Sequence, residues 1–357
     1  MDIDITQLLQ LTVERGASDL HICANSPPMI RVHGSLIPLL ETVLDVETCR
    51  EMIFSIFTEN QRARFEETWE LDFALMVNHL GRFRSNAHYS RGTVEAAFRY
   101  IPNIIPSMDS LGLPGIIRKL CNLEQGLVLV TGITGSGKTT TLAAMVEEIN
   151  STRSGLIISI EDPIEYIFEH KLGRIKQREI GQDTKSFPAA LRHVLRQDPD
   201  VILISEMRDL ETISAAITAA ETGHLVLATL HTIDAPKAID RMVDAFPPDQ
   251  QGQIIAQLAN ALQAIISQRL LPKADGQGRV LCAEVMIMNE GVRSCLRDKR
   301  VQQLISMIEI GSKDGMITLD ESVASLYSRG LIDKSEALIN ARDPNRIRNM
   351  KVDGKKK

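Results

Sequence analysis

The sequence predicts an α/β fold in two parts, and three observations carry that prediction. Continuous apolar runs at Gly126–Thr131, 156–160, Val201–Ile204 and Leu225–Leu230 alternate with helical patterns, as buried parallel strands with crossover helices do. Ahead of them, short segments of alternating polarity read as antiparallel strands. The length, 357 residues, exceeds what one compact core supports and points to two domains.

The elements follow in chain order. Residues 3–15 carry a helical pattern, and residues 19–22 and 29–34 read as two strands around the turn Pro27-Pro28. Residues 45–68 look helical and charged on one face, and 71–75, 81–85 and 94–99 alternate as strands. Residues 1–100 therefore form a small mixed α+β domain. The stretch 101–110, with Pro102 and Pro106, reads as the linker, because proline removes a donor and fixes φ. The second domain spans 111–357: the parallel sheet, then a mostly helical region after about residue 235, then a tail expected to be disordered from about 345. The longest uncharged run, Gln250 to Gln268, is too polar to cross a bilayer. Its apolar residues Ile254, Ile255, Leu258, Leu262, Ile265 and Ile266 recur at helical spacing and read as one amphipathic core helix.

Composition narrows the function classes. Net charge is -6 and the pI about 5.8, whereas a dedicated nucleic-acid binder carries a basic surplus. Aromatics make up 4%, few for a base-stacking platform. The five cysteines, Cys23, Cys49, Cys121, Cys282 and Cys295, form no C-x-x-C pair. That leaves no zinc ribbon or redox dithiol and fits a reducing cytosol. The start, Met1-Asp2-Ile3-Asp4, is acidic and lacks a signal-peptide pattern.

Five features carry chemistry. The loop Gly132-Ile133-Thr134-Gly135-Ser136-Gly137-Lys138-Thr139, with Thr140 adjoining, follows a predicted strand and opens a helix. Its glycines let backbone N–H groups curl around phosphates, and the helix N-terminus favours their charge. Lys138 is placed to reach the β- and γ-phosphates and the Thr139 hydroxyl to ligate Mg²⁺. Second, Val201–Ile204 runs into Glu206, an acid placed to face the metal and its water. A strand before a surface acid is common, so this assignment leans on the phosphate loop. Third, Glu161-Asp162-Pro163-Ile164-Glu165-Tyr166 sets three carboxylates at a strand's C-terminal end, where open α/β sheets bind ligands. They could position metal or polarise water. Fourth, His231 follows the strand at 225–230 and is either a γ-phosphate sensor or a structural residue. Fifth, Arg82, Arg84, Arg91 and Arg99 cluster in the first domain. Such arginines either face solvent or stabilise transition-state charge across a subunit contact.

Taken together these motifs resemble the secretion ATPase superfamily, and within it the type IV pilus retraction ATPases, over nearly the whole chain. The family's Walker A loop matches Gly132–Thr139, its Asp box Glu161–Tyr166, its Walker B Val201–Ile204 with Glu206-Met207-Arg208-Asp209, and its His box Gly223-His224 through His231-Thr232. The resemblance implies a PAS-like N-terminal domain on a RecA-like ATPase core with a helical C-terminal region. It implies ATP and Mg²⁺ as cofactors, Glu165 as catalytic glutamate, Glu206 assisting metal and water, and His231 near the nucleotide. It makes Arg84 and Arg99, with Arg82 close by, candidates to meet ATP on a neighbouring subunit. The implied partners are further copies in a homo-hexameric ring, an inner-membrane platform protein of the pilus machine and a second pilus ATPase. Nucleic acid is not among them. The implied place is cytoplasmic, peripheral at the inner membrane. Ile133 stands where the family usually has proline. The retraction signature Ala-Ile-Arg-Asn-Leu-Ile-Arg-Glu appears as Gly291-Val292-Arg293-Ser294-Cys295-Leu296-Arg297-Asp298, keeping both arginines and the terminal acid. The C-x-x-C loops of the longer assembly-type relatives are absent. Alternatives are an accessory retraction ATPase, a related secretion motor and, against the acidic charge, a nucleic-acid translocase.

Overall fold

The structure is a computed structural model in which residues 4–32, 34–77, 80–101, 104–348 and 350 are described. The chain divides into two compact units: Met1–Ile104 with Pro163–Ile167, and Ile105–Asp162 with Phe168–Lys357. The division falls in the proline stretch, and the short segment around Glu165 goes with the first unit.

The first unit contains α1 (Ile5–Glu14), β1 (Asp19–Ile22), β2 (Met29–Val32), β3 (Ser35–Pro38), α2 (Val46–Ser55), α3 (Glu59–Thr68), β4 (Glu70–Val77), β5 (Gly81–Ser90) and β6 (Thr93–Ile101). Its strands form an antiparallel sheet in the order β3-β2-β1-β6-β5-β4. The charged stretch 45–68 is two helices, because Thr58 caps a new one by accepting from the Gln61 amide at 3.2 Å. Alternation sends Leu20, Ile22, Phe83 and Phe98 into the core with Phe65. The other face carries a charged row in register, Asp19 opposite Arg99 and Arg99 opposite Arg84. Two arginines side by side repel. Asp19 relieves this by accepting from Arg99 Nε at 2.8 Å.

The second unit runs α4 (Ile116–Leu120), β7 (Gly126–Thr131), α5 (Lys138–Thr152), β8 (Leu156–Glu161), β9 (Arg174–Glu179), α6 (Phe187–Val194), β10 (Val201–Ile204), α7 (Leu210–Glu221), β11 (Leu225–Leu230), α8 (Ala235–Asp244) and α9 (Pro248–Ala261). Then come β12 (Leu262–Pro272), β13 (Arg279–Ile287), α10 (Glu290–Arg297), α11 (Leu304–Ile310), α12 (Leu319–Ser328), α13 (Lys334–Asn340) and α14 (Pro344–Arg348). The sheet order is β13-β12-β7-β11-β10-β8-β9, parallel throughout except for the edge strand β13.

Two expectations are corrected. The run 250–268 is not one helix: α9 stops at Ala261 and Leu262, Ile265 and Ile266 lie on β12. A strand buried on both faces shows no alternation, so periodicity alone could not separate it from a buried helix. The region after 235 is mostly helical, as expected, with one antiparallel strand pair set into it, β12 and β13, paired from Ala264–Ile287 to Pro272–Arg279. A disordered tail does not begin at 345: Pro344–Arg348 is helical, with Ile347 fully buried against Val323 and Leu326 of α12. The basic end, 351–357, lies outside the described residues. Among the described residues no helix is long and apolar enough to cross a membrane, and all five cysteines are free thiols.

Candidate functional site

The sheet order explains the site. β11 lies between β7 and β10, so the C-terminal ends of these strands deliver the phosphate loop, His231 and Glu206 to one sheet edge. Ligands of open α/β sheets bind at that edge. Gly132 N–H donates to Leu230 O at 3.3 Å, tying the loop to the residue before His231.

The loop has the build of an anion seat. Gly137, the N-cap of α5, has φ +87°, left-handed backbone that disfavours a side chain. A Cβ at Gly132 would lie 2.4 Å from Ser136 Oγ and 2.5 Å from Gln268 O. Ser136 Oγ is buried and has no hydrogen-bond partner. Lys138 is 8% exposed, and its ammonium donates to Gly132 O at 2.9 Å and Ile133 O at 3.1 Å. The residues therefore fit a phosphate chain: an orphaned buried hydroxyl, a tight glycine curve, a fixed cation and a helix N-terminus. Thr139 and Thr140 follow in the first turn of α5, and Thr134 and Gly135 lie at the exposed tip of the loop.

A polar chain leaves the loop. Lys138 Nζ stands 3.5 Å from His231 Nδ1, and His231 Nε2 stands 3.1 Å from Glu206 Oε1. An ammonium only donates, so Nδ1 accepts and Nε2 carries the proton that faces the carboxylate. Glu206 Oε2 accepts from Arg208 Nη2 at 2.7 Å. Burial alone would raise the Glu206 pKa. The hydrogen bonds from Arg208 and from the His231 Nε2–H, with the Arg208 charge, outweigh it and hold the carboxyl below its ordinary value. Each engaged oxygen keeps a further lone pair, so Glu206 can still face Mg²⁺ with Thr139.

A pH dependence follows. A depressed carboxyl stabilises the fold above its unfolded value, 4.5, and that contribution disappears as pH falls through the lower folded value. The unfolding midpoint of Glu206→Gln is expected to lie below wild type at neutral pH, with the gap closing in acid below about pH 4.5. A gap independent of pH would show that the Glu206 contacts do not hold its charge.

The Asp-box carboxylates are divided between the two units. Glu161 is 3% exposed and accepts from Ser159 Oγ at 2.6 Å and Gln177 Nε2 at 3.1 Å. Glu165 lies in the other unit, where its Oε1 is 3.8 Å from Arg84 Nη1. Among the described residues no group of three or more His, Cys, Asp or Glu could hold a metal ion. Arg99 is paired with Asp19, and Arg82 is 9% exposed. In the signature segment, Arg293 donates to Ala259 O and, at 3.1 Å each, to Asn260 O and Gln263 Oε1, so it caps the end of α9. Sequence reasoning missed Gln268, which braces the loop, and assigned no role to Arg208. The one available signal for the former was a polar Ser267-Gln268 pair closing an apolar run.

A glycine loop with an anchored lysine, a parallel sheet, and histidine and glutamate delivered from the two neighbouring strands define a P-loop ATPase. The chain belongs to the family described as type II/IV secretion system protein, which matches residues 113–334. It is similar to the "Type IV pilus retractation ATPase PilT" of Pseudomonas aeruginosa, at 45% identity over 96% of this chain and 99% of that protein. It is also similar to the type IV pilus ATPase PilU of the same organism, at 42% identity over 98% of this chain and 91% of that protein. A crystal structure of the pilus retraction motor PilT with bound ADP matches with a TM-score of 0.91 and 46% identity, covering 98% of this chain and 100% of that one.

Proposed function

We propose that the chain is a ring-forming motor that hydrolyses ATP to retract a type IV pilus. The observation that carries this reading is the similarity to a retraction ATPase across both units, 45% over 96% of the chain. In this reading the loop N–H groups and Lys138 bind the β- and γ-phosphates, and Thr139 and Glu206 hold Mg²⁺. The ion, when bound, neutralises charge between the phosphates. His231 orients Glu206 through its Nε2–H. Glu165 accepts the proton of the attacking water. Arg84 or Arg99, with Arg82 beside them, meets ATP held by the neighbouring copy in a homo-hexamer. The ring works at the cytoplasmic face of the inner membrane against a platform protein, alone or beside a second pilus ATPase.

The accessory reading stays close, because the similarity to PilU is 42% over 98% of the chain. One experiment separates the two. The protein is expressed in a piliated strain lacking both of its own retraction ATPases, and twitching is scored. Restored retraction is expected. Piliated cells that make the protein and still fail to retract would overturn the primary-motor reading, and rescue only beside a second ATPase would make the protein accessory.

A further inference from the structure

The sheet register places β12 under the phosphate loop. Ser267 is the last residue of β12 to pair with β7, opposite Thr131, and the two hydroxyls hydrogen-bond at 2.8 Å. Gln268 is therefore the first residue beyond the end of β7, next to the loop. Its side chain is 2% exposed, and both ends of its amide are used. Nε2 donates to Ser136 O at 2.7 Å, and Oε1 accepts from Thr141 Oγ1 at 3.0 Å. A carbonyl can only accept, so the Ser136 contact fixes which way the amide faces. The loop's first and last glycines also rest on this residue. A Cβ at Gly132 would lie 2.5 Å from Gln268 O, and one at Gly137 would lie 3.3 Å from Gln268 Nε2.

We infer that Gln268 is a positioning residue that sets the phosphate loop in its binding conformation. The reason is the planarity of the peptide. In a trans unit the C=O and the following N–H point in opposite directions. Drawing the Ser136 carbonyl toward the sheet aims the Gly137 N–H away from it, the direction in which such loops present N–H groups to phosphate. Thr141, one turn into α5, anchors the other end of the amide, so loop and helix are held by a single side chain. A loop without the brace samples other peptide orientations. Affinity then falls by the fraction of time the competent one is populated. Gln268 touches the loop and not the substrate, and this role rests on nucleotide binding at Gly132–Thr139.

The test is equilibrium binding of ADP with Mg²⁺, and steady-state ATP hydrolysis, in the full chain. Gln268→Leu keeps the volume and removes both hydrogen bonds. It is expected to weaken ADP by about tenfold and to raise KM for ATP by more than it lowers kcat. A merely structural role would lower kcat through loss of folded protein and leave KM in place. Thr141→Val removes only the anchor and is expected to weaken ADP by about threefold. Folded Gln268→Leu protein that binds ADP within twofold of wild type overturns the proposal. If Gln268→Leu does not fold, unchanged affinity in Thr141→Val overturns it. Wild-type protein that binds no ADP defeats the ATPase reading instead, so the two failures are distinguishable.

Discussion

Replacing Lys138 with alanine is expected to remove nucleotide binding and hydrolysis together, lowering kcat/KM by roughly 10³-fold. The lysine stem is buried and the ammonium rests on the loop's own carbonyls, Gly132 O and Ile133 O. The positive charge is therefore set in place before a phosphate arrives, and little reorganisation is needed at the moment of reaction. Alanine deletes the charge and leaves two carbonyls without their donor. It also cuts the link from the loop to His231 Nδ1. Calorimetric titration with ADP and ATP, with phosphate release measured in parallel, checks this. Turnover near that of wild type would remove the loop from the reaction. An unchanged unfolding midpoint in the absence of nucleotide separates loss of chemistry from loss of fold.

Glu165→Gln is expected to behave differently, binding ATP within a few-fold of wild type and losing about 10²–10⁴-fold in kcat. Glutamine keeps the shape of glutamate and one acceptor oxygen but cannot take a proton from water. The ion pair with Arg84, 3.8 Å long with side chains 29% and 49% exposed, is weak at that exposure. The carboxylate is not locked by it, and the fold loses little when the charge is removed. Single-turnover hydrolysis with bound ATP is the direct measurement. Wild-type-like turnover would take the base role from Glu165 and leave Glu206, already held by His231 and Arg208, as the remaining acid to test.

The phosphate loop was legible because its chemistry is local: eight consecutive residues between an apolar strand and a helix carry the glycines, the lysine and the hydroxyl. Five of the six strands of the first unit were legible too, since a sheet buried on one face alternates, whereas β3 is exposed along its whole length and shows no alternation. The segment after Ala261 was not. Leu262, Ile265 and Ile266 continue a helical spacing into β12, and only pairing with β7 and β13 makes them strand. The Asp box shows the same limit. Glu161, Asp162 and Glu165 are nearly adjacent in the chain, yet Glu161 is buried in one unit and Glu165 belongs to the other.

What the sequence determined by itself, then, was the phosphate loop, Glu206 and His231, and the strand that leads into each of them. Residue type and short-range spacing suffice for that, because a turn, a helix start and a buried strand are each decided within a few residues. The tertiary structure decided which groups meet. Placing β11 between β7 and β10 brings Lys138, His231 and Glu206 into one chain of contacts. Placing β12 beside β7 sets Gln268 against Ser136, although the two lie 132 positions apart in the chain. Strand order is set by pairing over long sequence separations, and no local pattern encodes it.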